Sequence, residues 1–328
     1  MKMRLEQLRS LCEIVRQGFS VSRAAVALHT PQPGVSRQLR ALERELGVDI
    51  FIRNKKRLLA LSAPGAAILK VAQRMVEDAG NLGKIGLEFS AEDSGTLTVA
   101  TTHTQSRYAL PGVIRRFSSR YPHVRLMVRQ GNPSDIVELV RSGEADLCIG
   151  SESAAESGDL LLFPCYELHR VVLTPPRHPL LRRQKLTLED LVRYPIITYD
   201  APFIGRSKLV RAFEARGLSP DIVLSAMDTD VIKAYVELGM GIAIIAKLAF
   251  DPARDRKLRS MDASHLFEPN VIHLGIRRND YLRGYVFAFI EMFAPHLQRS
   301  HVAEALLTSG SRREKPAAAK GAGKRVPA

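Results

Sequence analysis

Residues 20–46 hold two short helical patterns split by a tight break. No other stretch of the 328-residue chain constrains the fold as strongly. In SVSRAAVAL (20–28), Ala24, Ala25 and Leu28 share one face, and His29-Thr30 interrupts the pattern. Val35, Leu39, Leu42 and Leu46 then recur at spacings of three and four, which makes them the buried stripe of a second helix. Two short helices joined by a few residues describe a helix-turn-helix, whose second helix can enter a DNA major groove. Gln32, Pro33, Ser36, Arg37 and Arg40 lie off the stripe. Gln and Arg can pair with base edges, and Ser and Arg can hold phosphates. Thr30 is the expected N-cap, with Pro31 in the first turn, and an exposed helix start favours a phosphate. Arg53, Lys55, Lys56 and Arg57 cluster between two apolar pairs and read as a basic wing against the DNA backbone or minor groove. Any one of these cations alone is more often solvated surface, so the combined pattern carries the reading.

The charge distribution agrees. Residues 1–60 carry 12 Lys/Arg and 5 Asp/Glu, residues 309–328 carry 6 against Glu314, and the 248 residues between hold 30 and 28. A basic end on a near-neutral body suggests a polyanion partner, with solubility charge as the bland alternative. With 45% hydrophobic and 25% charged residues, a fibrous or wholly disordered chain is excluded. No run approaches the ~20 apolar residues of a membrane span, so no membrane partner is expected. The opening MKMRLEQLRS lacks an apolar core, so no signal peptide is expected and a cytoplasmic location is. Cys12, Cys148 and Cys165 have no paired spacing, which fits a reducing compartment and no metal-binding motif.

Three regions follow. Residues 1–60 are the expected DNA-binding domain. Residues 61–90 read as a long helix starting near Ser62 and Pro64. On it Ile68, Met75, Leu82 and Phe89 repeat every seven residues, beside a small-residue track of Ala72, Ala79 and Gly86. Such a helix suits a dimerising linker, and packing on its own domain is the alternative. Residues 91–300 alternate strand and helix: 96–101, 124–128 and 145–150, with helices at 109–120 and 134–142. Then come 170–175, 195–199, 221–226 and 241–246, with helices near 207–216 and 230–239, and finally 271–276 and helix 281–293. That is two α/β lobes, about 94–165 with 268–298 and about 166–267. The tail 309–328 is too poor in apolar residues to offset its ordering entropy and is expected to be a disordered basic tail.

Thr101, Thr102, His103, Thr104 and Gln105 follow the first strand of this region and precede a helix. Hydroxyls and free backbone N–H groups at that place suit a small anion. Tyr199, Arg206 and Thr229 are further candidates for a cleft between the lobes. His103 has no second ligand at metal spacing on its own element, so no metal and no cofactor are expected. Cys148 and Cys165 read as buried or hinge residues rather than redox sensors.

The stretch AAVALHTPQPGVSRQLRALERELGVDIFIR (24–53) resembles the signature of LysR-type transcriptional regulators in spacing as well as composition. The resemblance implies a winged helix-turn-helix, a linker helix that pairs subunits, and a two-lobed α/β effector domain of the periplasmic-binding-protein type. Double-stranded operator DNA, a small effector and RNA polymerase are the implied partners, with a dimer of dimers as the assembly. One departure is Pro31, where the family usually has Ser before Gln-Pro.

Within the family, ATTHTQSRYALP (100–111), FPCYELHR, YPIITY and TDVIKAYVELGMGIAIIA are similar to the cysteine-regulon activators, the CysB-like subgroup. This implies control of sulfur assimilation and cysteine biosynthesis genes. It also implies contacts from Thr102, Thr104 and Gln105 to a sulfate-like anion, thiosulfate, or O- or N-acetylserine. Ser151 keeps a hydroxyl where that subgroup has threonine. Ile204 does not, and Asp200 in the same loop repels an anion if it faces the pocket. A regulator of another pathway is the runner-up. A solute-binding protein needs export and leaves the helix-turn-helix unexplained. An enzyme lacks any Gly-rich phosphate loop, nucleophile elbow or metal box here.

Overall fold

The computed structural model describes residues 2–55, 57–90, 94–151, 160–201 and 203–311. Residues up to Ser90, with Asn279–Tyr281, form one unit, and the rest form the second. In the first unit, α1 (Leu5–Arg16), α2 (Val21–Ala27) and α3 (Gln32–Leu46) precede a hairpin of β1 (Phe51–Asn54) and β2 (Arg57–Leu61), then α4 (Ala63–Ser90). The stripe of α3 is buried at Val35, Leu39 and Leu42, where it meets Leu8, Leu11 and Ile14 of α1 and Ala24 and Ala25 of α2. The Ser20 hydroxyl accepts from the Arg23 N–H and starts α2.

Thr30 does not cap α3. Its hydroxyl donates to the Leu28 carbonyl, at the end of α2, and Pro31 occupies the cap position without a side-chain hydrogen bond. The Glu43 carboxylate, only 8% exposed, accepts from the Ile50 N–H at 3.1 Å and from Arg53, pinning the hairpin to α3. Ser62 caps α4 through the Gly65 N–H at 3.0 Å. Gly65 is required there, because a Cβ would lie 2.0 Å from the Ile50 carbonyl oxygen. Over its 28 residues α4 changes character. Ile68 and Ala72 pack into the unit's own core, so the small-residue track begins by serving this fold. Met75, Leu82 and Phe89 are 39%, 70% and 84% exposed.

The second unit contains two five-stranded sheets. The first takes β3 (Gly95–Thr101), β4 (Val124–Gln130), β5 (Leu147–Ser151), β6 (Leu160–Leu168) and β12 (Asn270–Arg277), in the order β4-β3-β5-β12-β6. Between the first three strands run α5 (Leu110–Arg120) and α6 (Pro133–Arg141). The second sheet takes β7 (Arg170–Thr174), β8 (Ile196–Tyr199), β9 (Ile222–Ala226), β10 (Ile242–Ala246) and β11 (Arg259–Asp262), in the order β11-β7-β10-β8-β9. It carries α7 (Leu188–Leu191), α8 (Ile204–Glu214) and α9 (Thr229–Glu237), while α10 (Gly284–Phe293) and α11 (Arg299–Ser311) close the chain. Strands β7, β8 and β10 are buried throughout, as strands covered on both faces must be.

The longest strand is the one the sequence hides. β6 includes Pro164, which sits at a register shift opposite His273 on an edge strand, where a missing N–H is tolerated. It runs to Leu168, so the chain passes between sheets at His169, past the expected boundary at 165. Helix α10 starts at Gly284 rather than 281, and α11 falls where no helix is expected. Residues 312–328 of the expected basic tail, and Lys56 of the wing, lie outside the described residues.

Candidate DNA interface and effector cavity

The first unit exposes Gln32, Pro33, Arg37 and Arg40 on α3, with Ser36 and Thr30 half-buried beside them. Lys55 and Arg57 are exposed on the hairpin. With Arg23, Gln32 and Asn54 they line a cleft of about 710 Å³ between residues 18–23 at the start of α2 and the hairpin, with Gln32 as the one contribution of α3 among the described residues. Arg53 is also exposed, but Glu43 holds its guanidinium. Arg37, Arg40 and Arg44 line a second hollow with Glu43 and Asp49. The start of α3 is a poor anion site, since Pro33 has no N–H and the Gly34 and Val35 N–H groups donate to the Pro31 carbonyl at 2.7 and 3.3 Å.

In the second unit, strands β3, β5, β8 and β10 end around one cavity. One lobe contributes Thr102, Thr104, Gln105 and Ser151. The other contributes Arg170, Tyr199, Phe203, Gly205 and Ala246, and Leu168, Asn270 and Ile272 complete the wall. Its volume is about 410 Å³ including its open mouth. The carboxyl ends of parallel strands are where α/β folds bind ligands. A single π-helical turn, Gln105–Ala109, leads into α5 and places Gln105 on the wall.

Three of the nine candidate effector residues, Thr101, His103 and Thr229, lack a place on that wall. The Thr101 hydroxyl turns into the sheet and donates to the Ile149 carbonyl at 2.9 Å. His103 faces Asp228, its Nδ1 3.1 Å from Oδ1. Thr229 is fully buried behind Tyr199 and bridges the Tyr199 hydroxyl at 2.9 Å to the Thr104 hydroxyl at 3.1 Å, a relay that crosses the lobes. Ile204 is the first residue of α8 and its side chain lies outside the described residues, while Gly205 after it lines the wall. Asp200 is absent from the wall too, since its Oδ1 accepts from the Ser225 hydroxyl at 2.9 Å. Arg206 donates to the Tyr199 carbonyl at 3.4 Å. On the wall, Gln105 Oε1 accepts from the Tyr166 hydroxyl, whose pKa burial raises.

Sequence reasoning missed Arg170, Gly205 and Asn270. The guanidinium of Arg170 is 3% exposed, 5.7 Å from the Tyr199 ring centre, and burial lowers its pKa. A lone charge opening the apolar run RVVLT is the one available signal.

His103, Asp228 and Asp230 bring their ligand-type atoms within 4.8 Å of one another. The Asp230 carboxylate accepts from Tyr108 and from Arg107 Nε at 3.3 Å, and lies 3.8 Å from Lys233 Nζ. Burial works against its ionisation. The Tyr108 hydrogen bond and the charges of Lys233, Arg107 and His103 outweigh it and hold its pKa below the usual carboxylate value. Cations already occupy this carboxylate, so the cluster is an ion-pair network joining α9 to the 103–108 segment. Burial pushes the thiols of Cys12, Cys148 and Cys165 up to about 12, so none is a ready thiolate.

A helix-turn-helix with an exposed basic helix, in one chain with a two-lobed cavity domain, defines a ligand-responsive DNA-binding protein. Residues 5–66 match the family of bacterial regulatory helix-turn-helix proteins of the lysR family, and residues 90–298 match the LysR substrate binding domain. The chain belongs to the LysR family of transcriptional regulators. It is 50% identical to the transcriptional regulator SsuR of Burkholderia cenocepacia over 301 residues, 92% of this chain and 98% of that one. It is 46% identical to CysB of the same species over 304 residues, 93% and 97% of the two chains. Among solved structures, the cofactor-binding domain of the Cbl transcriptional regulator matches with a TM-score of 0.63 and 42% identity. That match covers 65% of this chain and 93% of the Cbl domain. Among the described residues, no helix is long and apolar enough to cross a membrane.

Proposed function

We propose that this LysR-type regulator controls genes of sulfur assimilation and cysteine biosynthesis in response to a small effector held in the cavity. Its likeness to CysB and SsuR supports the pathway. The observation that carries the switch is the two-sided wall: Thr102, Thr104, Gln105 and Ser151 face Arg170 and Tyr199. A ligand touching both lobes binds one lobe arrangement better than another, which is the requirement for a switch. In this reading residues 1–60 hold the operator, with Thr30, Gln32, Pro33, Ser36, Arg37, Arg40, Arg53, Lys55 and Arg57 as the contact set. Residues 61–90 pair the subunits, residues 91–300 bind the effector, and the protein works in the cytoplasm as a dimer of dimers with RNA polymerase. The test is a gel-shift titration of promoter fragments of sulfur-assimilation and cysteine-biosynthesis genes, with and without N-acetylserine, O-acetylserine, sulfate and thiosulfate. Sequence-specific shifts altered by one of these ligands are expected. Shifts that none of them alters would instead favour a regulator of another pathway, the reading to which Ile204 points because it lacks the hydroxyl of the CysB-like threonine.

A further inference from the structure

Arg170 lies inside the effector cavity as a charge without a counter-charge. Its guanidinium is 3% exposed, and among the described residues no carboxylate pairs with it. Its neighbour is the face of Tyr199, 5.7 Å away. A buried charge without a partner is costly, so proteins keep one where it is used. The backbone makes room for it. A Cβ on Gly205 would lie 2.0 Å from the Arg170 Nη2 and 3.1 Å from the Asn270 Nδ2, so only glycine leaves both groups in place. Asn270, 5% exposed on the same wall, has an Oδ1 with no hydrogen-bond partner. A fork of N–H donors and an unpaired acceptor thus converge from two strands, β7 and β12, that begin next to the passages between the lobes.

We infer that Arg170 is the anchor of the cavity for a small organic anion, whose carboxylate it pairs and whose N–H or O–H donates to Asn270 Oδ1. Sulfate or thiosulfate, fully deprotonated at neutral pH, satisfies the first group and has no proton for the second. This rests on the effector reading of the cavity above. It adds the charge, the donor and the residue that reads them.

The experiment is calorimetric titration of the full-length protein with N-acetyl-L-serine, with its uncharged analogue N-acetyl-L-serinamide, and with sulfate at constant ionic strength. Wild type, Arg170→Met, Arg170→Lys and Gly205→Ala are compared. Wild type is expected to bind N-acetyl-L-serine more tightly than either other probe. Arg170→Met is expected to lose at least about thirtyfold in affinity for it. Its melting temperature without ligand is expected to be unchanged or higher, because an apolar side chain removes a buried charge. Arg170→Lys keeps the charge without the two-pronged geometry and is expected to fall between. Gly205→Ala, which displaces the guanidinium, is expected to weaken binding in the same direction. Affinity within threefold of wild type in folded Arg170→Met, wild-type binding to none of the probes, or tighter binding of sulfate than of the organic acid would each overturn the assignment. Promoter gel shifts of the same variants without ligand keep this separate from the regulator reading. They should match wild type, and a wild type without any specific shift would count against that reading alone.

Discussion

At the scale of single residues, the effector domain is held by polar atoms whose roles follow from their partners. Thr229 shows this best. It was a candidate for the cleft, yet its hydroxyl stands in the second row and ties Thr104 of one lobe to Tyr199 of the other. Thr229→Val keeps the shape and removes the bridge, leaving the buried Thr104 hydroxyl without its partner. An unsatisfied buried hydroxyl costs about 1–3 kcal/mol, so urea unfolding should give a lower midpoint and an unfolding free energy smaller by that amount. A change below about 0.5 kcal/mol would show that the relay carries no stability. The ion-pair network nearby adds a pH dependence with a definite sign. Asp230 has a folded pKa below its ordinary value, so its contribution is present above the ordinary carboxylate range and is lost as pH falls through the folded value.

At the scale of elements, α4 is the instructive one. Its first turns belong to the core of the DNA-binding unit through Ile68 and Ala72, and beyond them Leu82 and Phe89 stand in solvent. A single chain has no use for an apolar edge on a helix of 28 residues, whereas a paired one buries it. Leu82→Lys with Phe89→Lys is therefore expected to leave helix content unchanged by circular dichroism and to shift sedimentation toward the monomer. Retention of the wild-type sedimentation coefficient would locate the pairing surface elsewhere. The hairpin follows similar logic on a smaller scale. Glu43 and Arg53 spend their charges on holding it against α3, while Lys55 and Arg57 remain outward.

At the scale of the whole molecule, charge placement separates the two tasks. The positive excess sits in residues 1–60 and 309–328, and the sequence between them is close to neutral. Each phosphate neutralised on duplex DNA adds about 0.9 to the magnitude of the slope of log affinity against log salt. Deleting residues 309–328 removes six basic side chains, so the slope should become shallower while the preferred operator stays the same. An unchanged slope would show that the tail does not touch DNA.

How much of this was readable in advance follows the range of each interaction. The stripe Val35, Leu39, Leu42 and the runs that became β3, β5, β8 and β10 were legible, because apolar periodicity is written within a dozen residues and burial obeys it. The same local signal mistook Thr30 for a cap, since spacing gives position but not which carbonyl is nearer. It passed over β6, because Pro164 counts against a strand until the edge that tolerates it is known. The sequence by itself determined the class of each region, its helix-turn-helix and its pair of α/β lobes. Only the tertiary structure decided the cavity. Its polar side chains come from residues 102, 104, 105, 151, 170, 199 and 270, and whether Thr101 turns inward, Asp200 turns away or Arg170 is buried depends on chain crossings far apart in sequence. Periodicity reports which face of an element leaves water, and the meeting of two polar atoms across a fold is fixed only when the faces have packed.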